Sequence, residues 1–477
     1  MRIRVLKFGG TSVDTPEHRL MAARKVIHCL ETGCKPVVVV SAIGRRGEPY
    51  ATDTLVEFLT QIDPSVPPHP REKDLMMACG EIISTVIMAQ TLRVLGYPSV
   101  ALTGNQAGII TDSEFGNARI LEINPAPILR CLEQGWIPVV AGFQGVTRPD
   151  KIFHRGAITT LGRGGSDTTA AALGAALQAE AVEIYTDVDG VKTADPDFVP
   201  DAPTLREITY EEVAEIAHQG ARVLHPRAAE IAMDYGIPLW VKCTFTDEPG
   251  TRVVAQLQNG TRRITGVTHT GKLVYLSFYI PYPEHKSLLE LEIYRLMARI
   301  GVNLQGVGVD EEGLGIAFPR ECWQRVRSTL DGLVVPLPMS GERSDGAAHH
   351  RDARATRLAK REGSTSPLFY LFQFGDQPSE VCQIQRGMLE KAGLGGEQLR
   401  PITINVAEGC TMVSLIAHGY SQEPGIFARL YQTLLQAGIP VWQTADSELS
   451  LSCIIPESEV EKAVKVLHEQ FELYAAT

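Results

Sequence analysis

Leu161-Gly162-Arg163-Gly164-Gly165-Ser166-Asp167-Thr168-Thr169-Ala170 leads into an alanine-rich run, Ala170 to Ala181, that reads as a tightly packed helix. Ser166 or Asp167 is its natural N-cap. Glycine lets a backbone approach an anion closely and aim N–H groups at it. The helix N-terminus adds positive partial charge, and Arg163 offers a planar fork for a carboxylate or phosphate. A glycine-rich turn capping an ordinary helix would account for these residues in isolation. The placing of other polar residues argues for more.

Upstream, Ile3 to Phe8 is a short apolar strand ending in Lys7-Phe8-Gly9-Gly10-Thr11-Ser12. Thr15 caps a helix with Pro16 at its first position. Val37-Val38-Val39-Val40 is apolar without alternation, as in a strand buried on both faces, and it stops at Ser41. Further strands, Ser99 to Thr103, Ile137 to Gly142, Val182 to Tyr185 and Pro238 to Cys243, alternate with helices. The longest helix, Arg71 to Leu95, carries Gly80-Glu81. This order predicts an open, mainly parallel sheet with helices on both faces and ligands at its carboxyl edge. Lys7, Ser41, Arg163, Asp167 and Thr186-Asp187 all fall at strand ends there, forming a convergent anion site. No Walker A motif supports a P-loop, because Gly266 to Gly271 and Lys272 are followed by Leu273 where Ser or Thr is needed. No G-x-G-x-x-G is present. Glu81 is either a surface carboxylate beside a packing glycine or the receptor of a substrate ammonium. His225-Pro226 has no ligand partner at metal spacing.

Lys+Arg 45 against Asp+Glu 56 in 477 residues gives a net charge of −11. That argues against nucleic acid as the main partner. No uninterrupted apolar run is long enough for a bilayer, and the N-terminus reads as a strand with no signal peptide ahead of it. The nine cysteines are dispersed and form no C-x-x-C, which suggests reduced thiols in a cytoplasmic protein.

After about Arg262 the texture changes. Val274 to Tyr279, a helix to Ile300, two strands to Phe318 and a further helix and strand near Pro336 form a β-α-β-β-α-β unit. Ser340 to Ser366 is polar and reads as a flexible linker or insertion. A second such unit begins at Cys410 to Ala417, continues with a helix opened by Pro424-Gly425, and ends with a helix over Glu457 to Phe471. Two units in tandem suggest a pseudo-repeat with a ligand site between them.

Several segments together resemble the aspartate kinases of the amino acid kinase family. They are Lys7 to Val13, Val40-Ser41-Ala42, Leu161 to Ala170, Tyr185 to Val191, Val223 to Pro226 and Asp247 to Thr251. The tail units resemble paired ACT regulatory domains. Gly44 to Leu55, with the tail from Gln443 to Leu473, is most similar to the diaminopimelate-sensitive branch. The resemblance implies an amino acid kinase catalytic domain over 1–262, ACT-like domains over 263–339 and 367–477, and the linker or insertion over 340–366 between them. It implies transfer of the ATP γ-phosphoryl group to the β-carboxylate of L-aspartate, with Mg²⁺ on the nucleotide, at the head of the route to diaminopimelate, lysine, threonine and methionine. Lys7, Arg163 and Asp167 are the implied catalytic residues. Ser41, Thr52, Glu81, Arg163, Gly164, Gly165 and Ser166 line aspartate. Lys7, Phe8, Gly9, Gly10, Thr186, Asp187, Lys192, Asp195 and Arg222 line ATP. No protein-bound metal is implied. Feedback by meso-diaminopimelate or lysine is expected at Gly425, Asp446 and Ser447, in a homodimer joined through the ACT-like domains.

Three departures stand out. Asp197 follows Ala194-Asp195-Pro196 where Arg is usual. Lys192 replaces an aromatic or apolar residue, and Arg222 stands in a place often filled by Lys. The first ACT-like unit has Pro283-Glu284-His285-Lys286 in place of a Pro-Gly turn. Beside the active kinase stand two alternatives. One is a sensor that has lost catalysis, and the other is a kinase of the same fold acting on acetylglutamate or a nucleotide.

Overall fold

The four valines from Val37 to Val40 are completely buried, because alternate residues of their strand feed two cores on opposite faces of one sheet. The computed structural model describes residues 1–151, 154–220, 223–257, 264–337, 368–394, 396–417 and 425–475. Its large sheet runs β10 (Glu207–Thr209), β12 (Thr251–Val254), β11 (Leu239–Cys243), β9 (Ala181–Thr186), β1 (Ile3–Phe8), β2 (Lys35–Val40), β6 (Ile137–Ala141), β3 (Ser99–Leu102). Every pairing is parallel except β11 with β12. On one face Val5, Val37, Val39, Val140, Ile184 and Val241 meet α4 (Ala126–Glu133), α5 (Gly165–Ala176), α6 (Tyr210–His218) and α7 (Pro226–Asp234). On the other, Leu6, Phe8, Val38 and Val40 meet α1 (Pro16–Glu31) and α3 (Pro70–Val94). Each fully buried aliphatic side chain contributes about 1.5–3 kcal/mol, so the sheet order is fixed by both layers. The short α2 (Thr52–Thr60) packs on α3.

A second, four-stranded sheet, β5 (Ile120–Ile123), β4 (Ile109–Thr111), β7 (Gln144–Thr147), β8 (Ile158–Thr160), sits at the carboxyl edge. The sequence shows β8 only as strand or hairpin. The return strand β12 is absent from the sequence expectation, in which Pro238 to Cys243 is the last strand of the 1–262 domain.

α3 is long and apolar enough, by length and composition, to cross a membrane. The run is not uninterrupted, since Glu81 falls within it. Here it is a core helix, with Asp74, Met77, Glu81, Ser84, Met88 and Leu92 buried.

The remaining strands form one nine-stranded sheet, and its pairing corrects the expected division. β13 (Ile264–His269) pairs with the distal part of β19 (Leu399–Ala417), from Val413 to Ala417. β19 then pairs with β21 (Ser450–Pro456), and β21 with β20 (Gln443–Asp446). The boundary at 263 therefore assigns β13 to the wrong unit. The downstream unit has three strands of its own, and a fourth from upstream completes its sheet. Likewise β17 (Val334–Leu337) does not lie beside β14 (Leu273–Tyr279). The neighbours of β14 are β16 (Gly313–Pro319), flanked by β15 (Gly306–Val309), and the proximal part of β19. β17 pairs instead with β18 (Leu368–Phe374). α8 (Lys286–Arg299), α9 (Trp323–Leu330) and α10 (Glu380–Lys391) accompany this half. α11 (Ile426–Gln436) and α12 (Val460–Gln470) cover the other, with Leu430, Leu434, Val464 and Leu467 buried. The expected linker at 340–366, Arg222 and Pro424 lie outside the described residues.

The two bodies meet along α6. Glu212, Glu215 and Gln219 are spaced three and four apart, on one face of that helix. The Thr265 hydroxyl donates to Glu212, the Ser450 hydroxyl to Glu215 at 2.5 Å, and the Ser414 hydroxyl to the Gln219 side chain at 3.0 Å. Beside this seam the Val267 N–H donates to the Thr193 carbonyl at 2.8 Å, and the buried His468 ring meets the Thr193 hydroxyl at 2.9 Å. Ala194, Val199 and Ala202 of the same loop share a core with Val413, Ile426 and Leu467.

Candidate active site

Lys7 is the penultimate residue of β1, so its side chain rises at the carboxyl edge of the sheet. Its Nζ lies 2.7 Å from Asp167 Oδ1, and each side chain is 11% exposed. Asp167 is in the first turn of α5. Its Oδ2 accepts the His225 N–H at 3.2 Å. The expected cap was Ser166 or Asp167, but the N-cap is Gly164, at φ 65° and without a side-chain cap bond. A side chain at Gly164 would meet the His225 ring at 2.2 Å. Glycine is therefore required, and Asp167 is left free to face Lys7. The His225 ring accepts the Arg227 N–H and caps α7; burial lowers its pKa, which keeps the ring neutral and able to accept.

Gly10 fits where a Cβ would lie 2.8 Å from both the Ala42 and Gly44 carbonyls, so the loops after β1 and β2 interlock there. The Gly9 N–H donates to the Tyr185 carbonyl at 3.2 Å, tying β1 to β9, so that amide is already engaged within the fold. Phe8 is buried and stacks on Tyr185 with ring centroids 4.9 Å apart.

Arg163 is exposed and has no hydrogen bond or ion pair among the described residues. Glu81 is the opposite case. It is 3% exposed, Oε1 accepts the Ala42 N–H at 3.1 Å, and Oε2 is buried without a partner among the described residues. Burial pushes its carboxyl up to about 8. A buried, half-satisfied carboxylate is costly, and of the two readings of Glu81 it favours a receptor awaiting a donor. Ser41 and Thr52 are half-buried, just after β2 and at the start of α2. Gly165 and Ser166 are buried in the first turn of α5.

On the nucleotide side, Asp187 takes Arg45 at 2.6 Å on one oxygen and the Thr186 hydroxyl at 3.1 Å on the other. Lys192 Nζ donates to the Ala202 carbonyl at 3.3 Å and the Thr204 hydroxyl at 3.1 Å, which leaves one of its three donors. Asp195 accepts the Asp197 N–H at 3.0 Å, so Asp197 follows a local turn and is itself exposed. Among the described residues no cluster of three or more His, Cys, Asp or Glu is placed to hold a metal.

At the expected effector site, the Ser447 hydroxyl is already engaged. It accepts the Leu449 and Ser450 N–H groups and meets Ser450 Oγ at 2.9 Å and Glu215 Oε1 at 3.3 Å. The β20–β21 turn thus docks on α6, which corrects the expectation of an open ligand site at Ser447. Gly425, at φ 104°, is the N-cap of α11.

Phe143 was missed. It follows β6 with φ 67°, an uncommon conformation for an aromatic residue and one that marks functional sites. Its ring packs on Gly165, and its carbonyl accepts the Leu161 N–H at 2.9 Å. No sequence pattern announces a positive φ at a non-glycine residue.

A parallel sheet with a buried Lys–Asp pair, an unengaged Arg and an anion-ready helix N-terminus at its carboxyl edge defines an α/β enzyme built to hold an anionic donor beside a small anionic acceptor. A model of the amino acid kinase family matches residues 2–243, and an ACT domain model matches residues 413–471. The chain belongs to the amino acid kinase family. It is 33% identical to aspartokinase 1 of Bacillus subtilis over 479 residues, covering 99% of this chain and 100% of that protein. It is 35% identical to an aspartokinase of Thermus thermophilus over 475 residues, covering 99% of each. Among solved structures, aspartate kinase from Synechocystis superposes with a TM-score of 0.60 at 25% identity, covering 100% of this chain and 99% of that one. Escherichia coli aspartokinase III in complex with aspartate and ADP gives 0.68 at 22% identity, covering 98% and 99%.

Proposed function

We propose that this chain is an aspartate kinase, converting ATP and L-aspartate to ADP and 4-phospho-L-aspartate. The observation that carries the reading is the juxtaposition of three groups at one sheet edge: the Lys7–Asp167 pair, the unengaged Arg163, and Glu81 with its buried open oxygen. The acceptor carboxylate is itself the nucleophile, so the protein must align it and offset charge on the transferring group. Asp167 orients Lys7 toward the β- and γ-phosphates, assisted by the Gly10 amide in place of the occupied Gly9 amide. Arg163 forks the α-carboxylate, and Glu81 takes the ammonium. Ser41 and Thr52 line the space between donor and acceptor. Gly164, Gly165 and Ser166 shape the floor, while Thr186 and Asp187 border the nucleotide. Mg²⁺ would neutralise phosphate charge when bound, held by the nucleotide more than by side chains of this chain. Hydroxylamine trapping with ATP, Mg²⁺ and L-aspartate is expected to yield aspartyl hydroxamate. Trapping only with acetylglutamate, or not at all, would overturn the assignment.

Arg163→Lys is expected to raise KM for aspartate about tenfold or more while leaving KM for ATP within about twofold, because lysine keeps the charge but loses the two-pronged geometry. A selective rise in KM for ATP would move Arg163 to the phosphates.

The same reading includes feedback by an amino acid of the lysine branch, meso-diaminopimelate ahead of lysine, in a cytoplasmic homodimer joined through the ACT-like units. Support comes from the α6 seam, which links the regulatory sheet to the segment carrying His225 and so to Asp167. Inhibition assays with both amino acids, and light scattering of the full chain, test these points. Absence of inhibition by either amino acid would remove the effector assignment, and a monomer would remove the dimer.

A further inference from the structure

Asp74 is a carboxylate of the catalytic body with 0% exposure, and phosphoryl transfer as derived above leaves it without a part. It sits on α3 two turns before Glu81. Seven residues of helix place their Cα atoms about 10 Å apart along the axis and on nearly the same face. Oδ2 accepts the Gly116 N–H at 2.9 Å and the Thr160 N–H at 2.8 Å, and Oδ1 accepts the Thr160 hydroxyl at 2.9 Å. Thr160 ends β8, immediately before Leu161-Gly162-Arg163. Gly116 belongs to the loop beneath that stretch: a side chain at Gly162 would lie 2.9 Å from Asn117 Oδ1 and 3.3 Å from the Gly116 carbonyl. Arg227 closes the far side, donating to the Leu161 carbonyl at 3.1 Å and to Asn117 Oδ1 at 2.9 Å. The backbone on the N-terminal side of Arg163 is therefore pinned from below and from the side, while the guanidinium itself stays unengaged.

We infer that Asp74 is a positioning residue for the amino acid substrate: it fixes the Thr160–Gly162 backbone to α3 and so sets the distance between Arg163 and Glu81. The inference rests on the roles proposed for those two groups. One rigid helix then carries the receptor of the ammonium and, through Asp74, the anchor of the receptor of the α-carboxylate. Their spacing selects an α-amino acid over an amine or a carboxylic acid alone. Misplacement of a positioning group by a fraction of an ångström is enough to degrade binding geometry.

The chemistry of the contacts supplies its own control. Asparagine in place of Asp74 keeps an oxygen for the two N–H donors and turns its amide nitrogen to the Thr160 hydroxyl, which can accept. Burial already pushes the Asp74 carboxyl up, so the neutral amide also relieves a desolvation cost. Alanine removes all three contacts.

The test is steady-state kinetics on the full chain, with ATP and aspartate varied separately. Asp74→Ala is expected to raise KM for aspartate about tenfold and to change KM for ATP less than about twofold. Asp74→Asn should restore KM for aspartate to within about twofold of wild type. Combined with Arg163→Lys, Asp74→Ala should add little further, because both act on the same contact. If Asp74→Ala does not fold, Thr160→Val deletes one donor and is expected to raise KM for aspartate about two- to threefold. Unchanged KM for aspartate in a folded Asp74→Ala or Thr160→Val, equal rises for both substrates, or effects that multiply in the double variant would overturn the positioning role. If instead Arg163→Lys alone leaves KM for aspartate unchanged, the substrate assignment fails first, and the two failures are distinguishable.

Discussion

Lys7→Ala lowers kcat by about 10²–10³-fold, the usual cost of removing one preorganised donor from the charge that develops in a transition state, and leaves KM for aspartate within a few-fold. The expectation follows from the geometry of the Lys7–Asp167 pair. Its ammonium is held at 2.7 Å in a site where both side chains are 11% exposed, so water screens it poorly and no reorganisation is needed when the phosphates arrive. Asp167 keeps its His225 N–H contact in the variant, but it becomes a buried charge without its counterion. A fall in thermal stability accompanies the loss of rate, since breaking one side of a buried pair is costly. Lys7→Arg separates the two effects. It keeps the charge and much of the stability, yet a planar guanidinium does not reproduce the single-point geometry of the ammonium, and kcat stays low. Rapid-quench measurement of a single turnover, with binding of both substrates checked separately, reads the chemical step directly. Near wild-type turnover in Lys7→Ala would remove Lys7 from the mechanism.

The catalytic half was largely legible in the sequence because its signals are local. A run of four β-branched valines without alternation favours a strand buried on both faces, and Thr15-Pro16 is a strong helix-start signal. The polar residues at strand ends fall together because a parallel sheet gathers its carboxyl ends on one edge. What was not legible depends on pairings between distant segments. Ile264–His269 lies in the stretch assigned to the following unit, where no strand is expected before Val274, yet it is a strand whose partner lies beyond 400. Nothing local encodes that choice. Leu399–Ala417 was half recognised: Cys410–Ala417 reads as a strand, whereas Arg400-Pro401 disguises its start, although Ile402, Ile404 and Val406 alternate as a strand requires. At the site, the residues were found but some of their atoms were already committed. The Gly9 amide and the Lys192 ammonium satisfy neighbouring carbonyls, and the Ser447 hydroxyl faces Glu215. Residue type and spacing identify a group able to bind a ligand, but whether the fold has already used that group is a property of packing. Asp74 shows the converse. It reads as one more polar residue on a long helix, and only its three donors reveal what it holds.

Glu81→Gln reduces kcat/KM for aspartate about 10²-fold while making the free enzyme more stable at alkaline pH, and the two halves of this result have one cause. Glu81 is held against the Ala42 N–H with its second oxygen buried and unmet, and burial raises its carboxyl from an ordinary 4.5 to about 8. Between those values the folded chain keeps a proton that the unfolded chain has released. Stability from this group is therefore full below about pH 4.5 and is lost as pH rises through about 8. Above that, the free enzyme carries a buried carboxylate with one open valence, at a cost of several kcal/mol. A substrate ammonium relieves it, which turns a defect of the empty site into affinity for an α-amino group. Glutamine keeps the Ala42 contact but has no charge to offer, so it forgoes both the cost and the recognition. Thermal melts of the free proteins should coincide near pH 5 and separate in favour of Glu81→Gln at pH 9. In the wild type, KM for aspartate should fall as pH rises from about 6 to 8, as Glu81 ionises more readily. Glu81→Gln should lose that dependence while its KM for ATP stays flat. Melts that remain superimposed at pH 9, together with an unchanged KM for aspartate, would return Glu81 to the role of a packed structural residue. A stability gain without a loss of aspartate binding would keep the electrostatic account and assign the ammonium to another acceptor.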